Sequence, residues 1–138
     1  MKIIVSACLL GSDCKYNGKN NLNDRVIRFV AGHEVTALCP EVMAGLGIPR
    51  KCAEIRDGKM VDSDGRDVNF VYHLGVQRAI DLIERESPDL IILQSRSPTC
   101  GVRQIYDGHF TGTLISGQGF LARELIRRGY SVMDAGDV

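Results

Sequence analysis

Residues 67–93 read DVNFVYHLGVQRAIDLIERESPDLIIL. Val68, Val71, Gly75, Ala79, Leu82 and Ile83 recur at helical intervals and fall on one face, so the spacing predicts a helix over 68–86. Asp67 stands where an N-cap accepts from the first free amides, and Ser87-Pro88 closes the segment because proline has no amide to continue it. Leu90-Ile91-Ile92-Leu93 is then a continuous apolar run, the pattern of a strand covered on both faces and the predicted central strand. An amphipathic helix feeding a doubly covered strand is half of a βαβ crossover.

The flanks repeat that unit. Toward the N-terminus, Lys2–Ala7 reads as a strand, Cys8–Asn23 as a loop, and Asn23 or Asp24 as the cap of a short helix to about Ala31. Glu34–Leu38 is a second strand. Pro40, Gly45, Gly47 and Pro49 predict a long irregular loop after Cys39, and Asp57-Gly58 predicts the turn of a small hairpin flap. Toward the C-terminus, a polar, glycine-rich stretch from Ser95 to Gly119 precedes a helix over 120–128 and a strand over 130–133. The order predicts one Rossmann-like α/β domain over residues 1–138, a mainly parallel sheet flanked by helices with right-handed crossovers. No repeat, low-complexity run or linker interrupts it.

Composition narrows the function. With 138 residues, 44% of them hydrophobic and 25% charged, the chain is expected to build one core of ordinary size. Seventeen basic residues balance seventeen acidic ones, so no domain-wide field gathers nucleic acid or anionic lipid, and no stable nucleic-acid partner is expected. No apolar run approaches the roughly 20 residues of a membrane span and no secretory pattern opens the chain, so a soluble cytoplasmic protein is expected. Composition says nothing of oligomeric state.

Five cysteines, an odd number without a secretory signal, argue for reduced thiols over a disulfide framework. Cys8, Cys39 and Cys100 follow the apolar runs IIVSA, EVTAL and LIIL, and ligands in open parallel sheets bind beyond the carboxyl ends of strands. Each thiol alone reads equally as a small buried hydrophobe. Together, three thiolates without an obvious fourth ligand suit a centre with one open coordination position, either zinc or a [4Fe-4S] cluster. Cys14 is a candidate fourth ligand, and Cys52, beside Lys51, reads as an incidental thiol.

Glu41 follows Cys39 across Pro40, which stiffens the link and makes the carboxylate a candidate general acid or base. Ser97 opens Ser97-Pro98-Thr99-Cys100, where its hydroxyl either makes the turn or meets substrate. Gly117-x-Gly119 is an imperfect dinucleotide fingerprint without a preceding strand and reads as helix entry, with amides left for an anion. His33, His73 and His109 lack ligand spacing, although His109 shares the loop after Cys100.

Taken in order, SACLLG at 6–11, CKYNG at 14–18, CPE at 39–41, SPTCG at 97–101 and IYDG at 105–108 closely resemble the TudS-type thiouracil desulfurase family along essentially the whole chain. The resemblance implies a [4Fe-4S] cluster on Cys8, Cys39 and Cys100, acid/base duty for Glu41, an active-site role for Ser97, and a small thiolated pyrimidine-like substrate that exchanges sulfur for oxygen and releases sulfide. Two positions depart from the family's habit. Lys51-Cys52 replaces a proline-rich stretch after Pro49-Arg50, and Gln94-Ser95 stands where lysine often precedes the SPxCG loop. The competing readings are a zinc-binding or structural thiolate protein without turnover and a module that binds thiolated nucleotides intact.

Overall fold

The computed structural model describes residues 1–138. The chain runs through β1 (Lys2–Ser6), a 3-10 turn (Ala7–Leu10), α1 (Asp24–Val30), β2 (Glu34–Leu38), α2 (Pro40–Met43), β3 (Ala53–Arg56) and β4 (Lys59–Asp62). It continues through α3 (Asn69–Glu86), β5 (Leu90–Leu93), β6 (Gln104–Tyr106), β7 (Leu114–Ser116), α4 (Phe120–Arg127) and β8 (Val132–Asp134). A four-stranded sheet, all parallel in the order β2-β1-β5-β8, gives the expected Rossmann-like α/β architecture. No helix is long and apolar enough to cross a membrane.

The pleat sorts side chains to opposite faces. Ile3, Val5 and Ile92 pack with Val26 and Val30 of α1, whereas Ile4, Ile91 and Leu93 pack with Ile80 and Ile83 of α3 and Leu125 of α4. The continuous apolar pattern of β5 therefore reflects helices on both sides. Register pairs Ser6 with Leu38 and Leu93 with Asp134, so the carboxyl ends of the strands finish close to level. Because β2 and β5 lie on opposite sides of β1, the winding reverses there, and a crevice opens beyond the ends of β1 and β5.

Several local expectations are corrected. The buried stripe of α3 is Tyr72, Gly75, Val76, Ala79, Ile80 and Ile83, turned from the expected face because the helix packs on α2 as well as on the sheet. Asp67 caps no helix terminus directly; its carboxylate accepts the Asn69 amide at 2.9 Å while Val68 occupies the cap position. The segment after Cys39 begins as α2, with Pro40 at a first-turn position where its missing amide goes unused. The glycine-rich stretch contains the β6–β7 hairpin, β5 is one of two inner strands, and the last strand starts at Val132. Asn23 caps α1 as expected, accepting from Arg25 and Val26, and Asp57-Gly58 turns the β3–β4 hairpin with both residues at positive φ.

Candidate active site

All five cysteines border one cavity of about 680 Å³ at the carboxyl end of the sheet. Cys8 lies in the 3-10 turn after β1, Cys39 at the N-cap position of α2, and Cys100 in the loop after β5. Cys8, Cys14 and Cys100 are 8%, 6% and 4% exposed, while Cys39 and Cys52 are half-buried. Cys14 thus joins the wall, and so does Cys52, which its sequence context presented as incidental. No three His, Cys, Asp or Glu side chains converge as ligands of a single metal ion. Thiols from three separate loops around one cavity are the soft donor set that a [4Fe-4S] cluster would take.

Backbone packing aims two of these thiols. A Cβ on Gly75 would stand 2.2 Å from the Pro40 carbonyl oxygen, so α3 meets α2 at a distance that no side chain permits. That contact sets the helix carrying Glu41 and the cap residue Cys39. At Cys100, the Ser97 hydroxyl accepts the amides of Thr99 (3.1 Å) and Cys100 (3.0 Å), and the Gly101 amide donates to the Ser97 carbonyl at 2.8 Å. The amides of Phe120 and Leu121 donate to the carbonyls of Pro98 (3.0 Å) and Thr99 (2.9 Å). Gly117-x-Gly119 is thus helix entry, and the amides read as free for an anion hold the Cys100 loop instead. A Cβ on Gly119 would lie 2.4 Å from the Thr99 carbonyl carbon, so glycine is required for that docking.

The polar groups converge on Glu41. Its Oε1 accepts the Thr99 hydroxyl at 2.7 Å, and its Oε2 lies 3.5 Å from Cys39 Sγ. Cys8 is held by Asn21, whose backbone amide donates to the Cys8 carbonyl at 3.0 Å and whose Nδ2 donates to Sγ at 3.6 Å. Burial raises the pKa of Cys8, Cys39 and Cys100 above the ordinary 9.0, and the Glu41 charge adds to the rise at each. Asn21 opposes the rise at Cys8, and Ser6 opposes it at Cys100. The metal-free chain therefore keeps these groups as neutral thiols at neutral pH.

The opposite wall was not legible in the sequence. Buried Glu54 of β3 accepts the amides of Gly108 (3.0 Å) and Phe110 (3.2 Å), and Arg56 donates to the Gly108 carbonyl at 2.8 Å. These bonds fasten the IYDG loop to the flap and leave Tyr106 and Phe110 lining the cavity. Arg50 donates to the Cys14 carbonyl at 2.9 Å. Tyr72, turned toward the cavity by the rotated face of α3, has its phenol pushed up to about 12, first by burial and then by Glu41. The histidines stand apart: His33 meets the N-terminal amine, His73 stacks on Phe120, and His109 is exposed.

Comparison with known proteins bears on the family and the fold. YbbK of Bacillus subtilis (strain 168), itself uncharacterised, is 32% identical over 146 residues, covering 99% of this chain and 97% of that protein. The solved structure of the [4Fe-4S]-dependent thiouracil desulfidase TudS matches with a TM-score of 0.89 at 35% identity, covering 96% of this chain and 89% of the other. A family model described as 2-thiouracil desulfurase matches residues 3–137. With sequence, fold and structural likeness in accord from end to end, the chain belongs to the 2-thiouracil desulfurase family.

Proposed function

We propose that this protein replaces the sulfur of a thiolated pyrimidine, or a related thiocarbonyl compound, with oxygen and releases sulfide, using a [4Fe-4S] cluster held by Cys8, Cys39 and Cys100. The observation that carries this reading is the meeting of three strand-end thiols around one cavity, with Glu41 and Ser97 on its wall. Support also comes from the structural neighbour, which is named as a [4Fe-4S]-dependent thiouracil desulfidase. Cys8, Cys39 and Cys100 would hold such a cluster, which would supply a Lewis acid toward the thiocarbonyl sulfur.

The remaining work falls to this chain's side chains. Glu41 Oε1 is occupied by Thr99, and Oε2 accepts the Cys39 thiol in the metal-free chain; with Cys39 a thiolate that donor is gone and Oε2 takes a proton from the attacking water. The water oxygen bonds to the thiocarbonyl carbon, the carbon–sulfur bond breaks, and Glu41 returns its proton to the departing sulfur, so that both water protons leave as hydrogen sulfide. No electron is gained or lost overall. Ser97 accepts two backbone amides, so its remaining polar function is its O–H, which orients the substrate. Tyr106 and Phe110 offer apolar surface to the ring.

The test is anaerobic reconstitution, iron and acid-labile sulfide analysis, and an assay of sulfide release from a panel of thiolated pyrimidines. Sulfide appearing in step with the oxo-pyrimidine supports the proposal. Stoichiometric zinc without iron, or thiolated nucleotides bound by cluster-loaded protein without sulfur loss, overturns it.

A further inference from the structure

Asn21 is the only amide side chain that donates to a cysteine sulfur, with Nδ2 3.6 Å from Cys8 Sγ. Its position follows from a doubly anchored segment. The amides of Asn21 and Asn23 donate to the carbonyls of Cys8 and Leu9, both at 3.0 Å, so residues 21–23 lie along the turn that carries Cys8. Just upstream, Asn20 is fixed at both ends of its side chain, donating to Asp13 at 2.8 Å and accepting the Leu22 amide at 3.0 Å. The Asn21 amide is therefore aimed by backbone bonds on either side of it, and it lines the cavity itself.

The other two thiols stand in different company. Cys39 Sγ faces the Glu41 carboxylate at 3.5 Å, an acceptor with nothing to donate. Cys100 lies in the region of Ser6, whose hydroxyl also accepts the Gln94 amide at 3.0 Å. The donor set is therefore electronically uneven, with an N–H directed at one sulfur and a carboxylate at another. A hydrogen bond to a thiolate draws electron density from sulfur, weakens its donation to the metal, and makes the iron a better electron acceptor and Lewis acid.

We infer that Asn21 is a tuning residue: its side-chain N–H bond to Cys8 raises the reduction potential of the bound cluster and sharpens the electrophilicity of its iron. The inference rests on the cluster reading above. Asn21 touches neither water nor substrate in this role and acts through Cys8.

The experiment compares the parent with Asn21→Asp, Asn21→Leu and Asn21→Gln, each reconstituted anaerobically. Aspartate keeps the shape but replaces the donor with a charged acceptor, leucine removes the donor without adding charge, and glutamine keeps an amide. Iron per chain is counted first, and the midpoint potential is then read by spectroelectrochemical titration. The expected order, from highest to lowest potential, is parent and Gln, then Leu, then Asp, with all four holding the same iron. Equal potentials for parent, Leu and Asp at equal iron content overturn the role of Asn21 while leaving the cluster reading intact. A parent that takes up no iron overturns the cluster reading itself, and the inference falls with it. Thermal unfolding of the metal-free variants identifies any that misfold, and the Leu variant, free of added charge, then carries the comparison.

Discussion

The Thr99 hydroxyl donates to Glu41 Oε1 at 2.7 Å across 58 residues of sequence. This bond joins CPE to SPTCG, and so ties the helix after Cys39 to the loop that carries Cys100. Thr99 is 1% exposed, which leaves its hydroxyl no water to fall back on.

Thr99→Val keeps the shape and removes that donor. A buried bond to a charged acceptor contributes about 1.5–3 kcal/mol, and the loss should appear in urea unfolding of the metal-free chain. Turnover should fall as well because one oxygen of Glu41 is released, whereas Thr99→Ser should recover most of both. Unchanged stability and rate in Thr99→Val would remove Thr99 from the site.

Glu41→Gln tests the proton acceptor with little change in shape, since the amide oxygen can still take the Thr99 bond. Iron content should match the parent while kcat for sulfide release drops by roughly 10²–10⁴-fold, the usual worth of a positioned acid/base group. Near-normal turnover with a full cluster would reject the assignment.

Gly75→Ala asks whether helix contact sets the site. The new methyl group would meet the Pro40 carbonyl at 2.2 Å, so α2 or α3 has to shift. Overpacking of this kind costs about 1–3 kcal/mol. Because α2 carries both Cys39 and Glu41, the variant should also lose iron faster on dilution. Parent-like stability together with parent-like iron retention is the contrary result.

The buried thiols make the metal-free fold sensitive to alkali. In the unfolded chain Cys8, Cys39 and Cys100 ionise near 9.0, whereas burial raises all three in the fold. The folded state therefore holds more protons above that value, and stability falls as pH rises past about 9, by up to about 1.4 kcal/mol per pH unit for each thiol. Tyr72, pushed from 10.0 to about 12, adds a further loss across that interval. Below pH 8 the thiol contribution is fully present. Urea midpoints measured between pH 7 and 11 should trace this decline, and alanine in place of Cys100 should flatten it.

Much of the fold was legible because its signals are local. Apolar runs ending at Cys8, Cys39 and Cys100 marked strands, and parallel winding brings such ends to one edge, so the thiol trio could be anticipated from sequence. Other features escaped for physical reasons. A four-residue helix such as α2 has too few turns to show a period, and Pro40, read as a breaker, is equally a starter. Three-residue strands like β6 and β7, set among glycines, carry little alternation. The contacts of Thr99 with Glu41 and of Glu54 with Gly108 join segments more than fifty residues apart, and no spacing rule encodes such pairs.

The order of the thiols along the chain has a consequence for the cavity wall. Cys8 and Cys39 sit in the first third, but Cys100 is aimed only when the carbonyls of Pro98 and Thr99 receive the amides of Phe120 and Leu121. The cavity wall is therefore completed only when α4, near the end of the chain, docks on the loop that follows β5. The Cys100 loop is thus set by backbone bonds within the chain, so its shape belongs to the folded protein before any ligand enters.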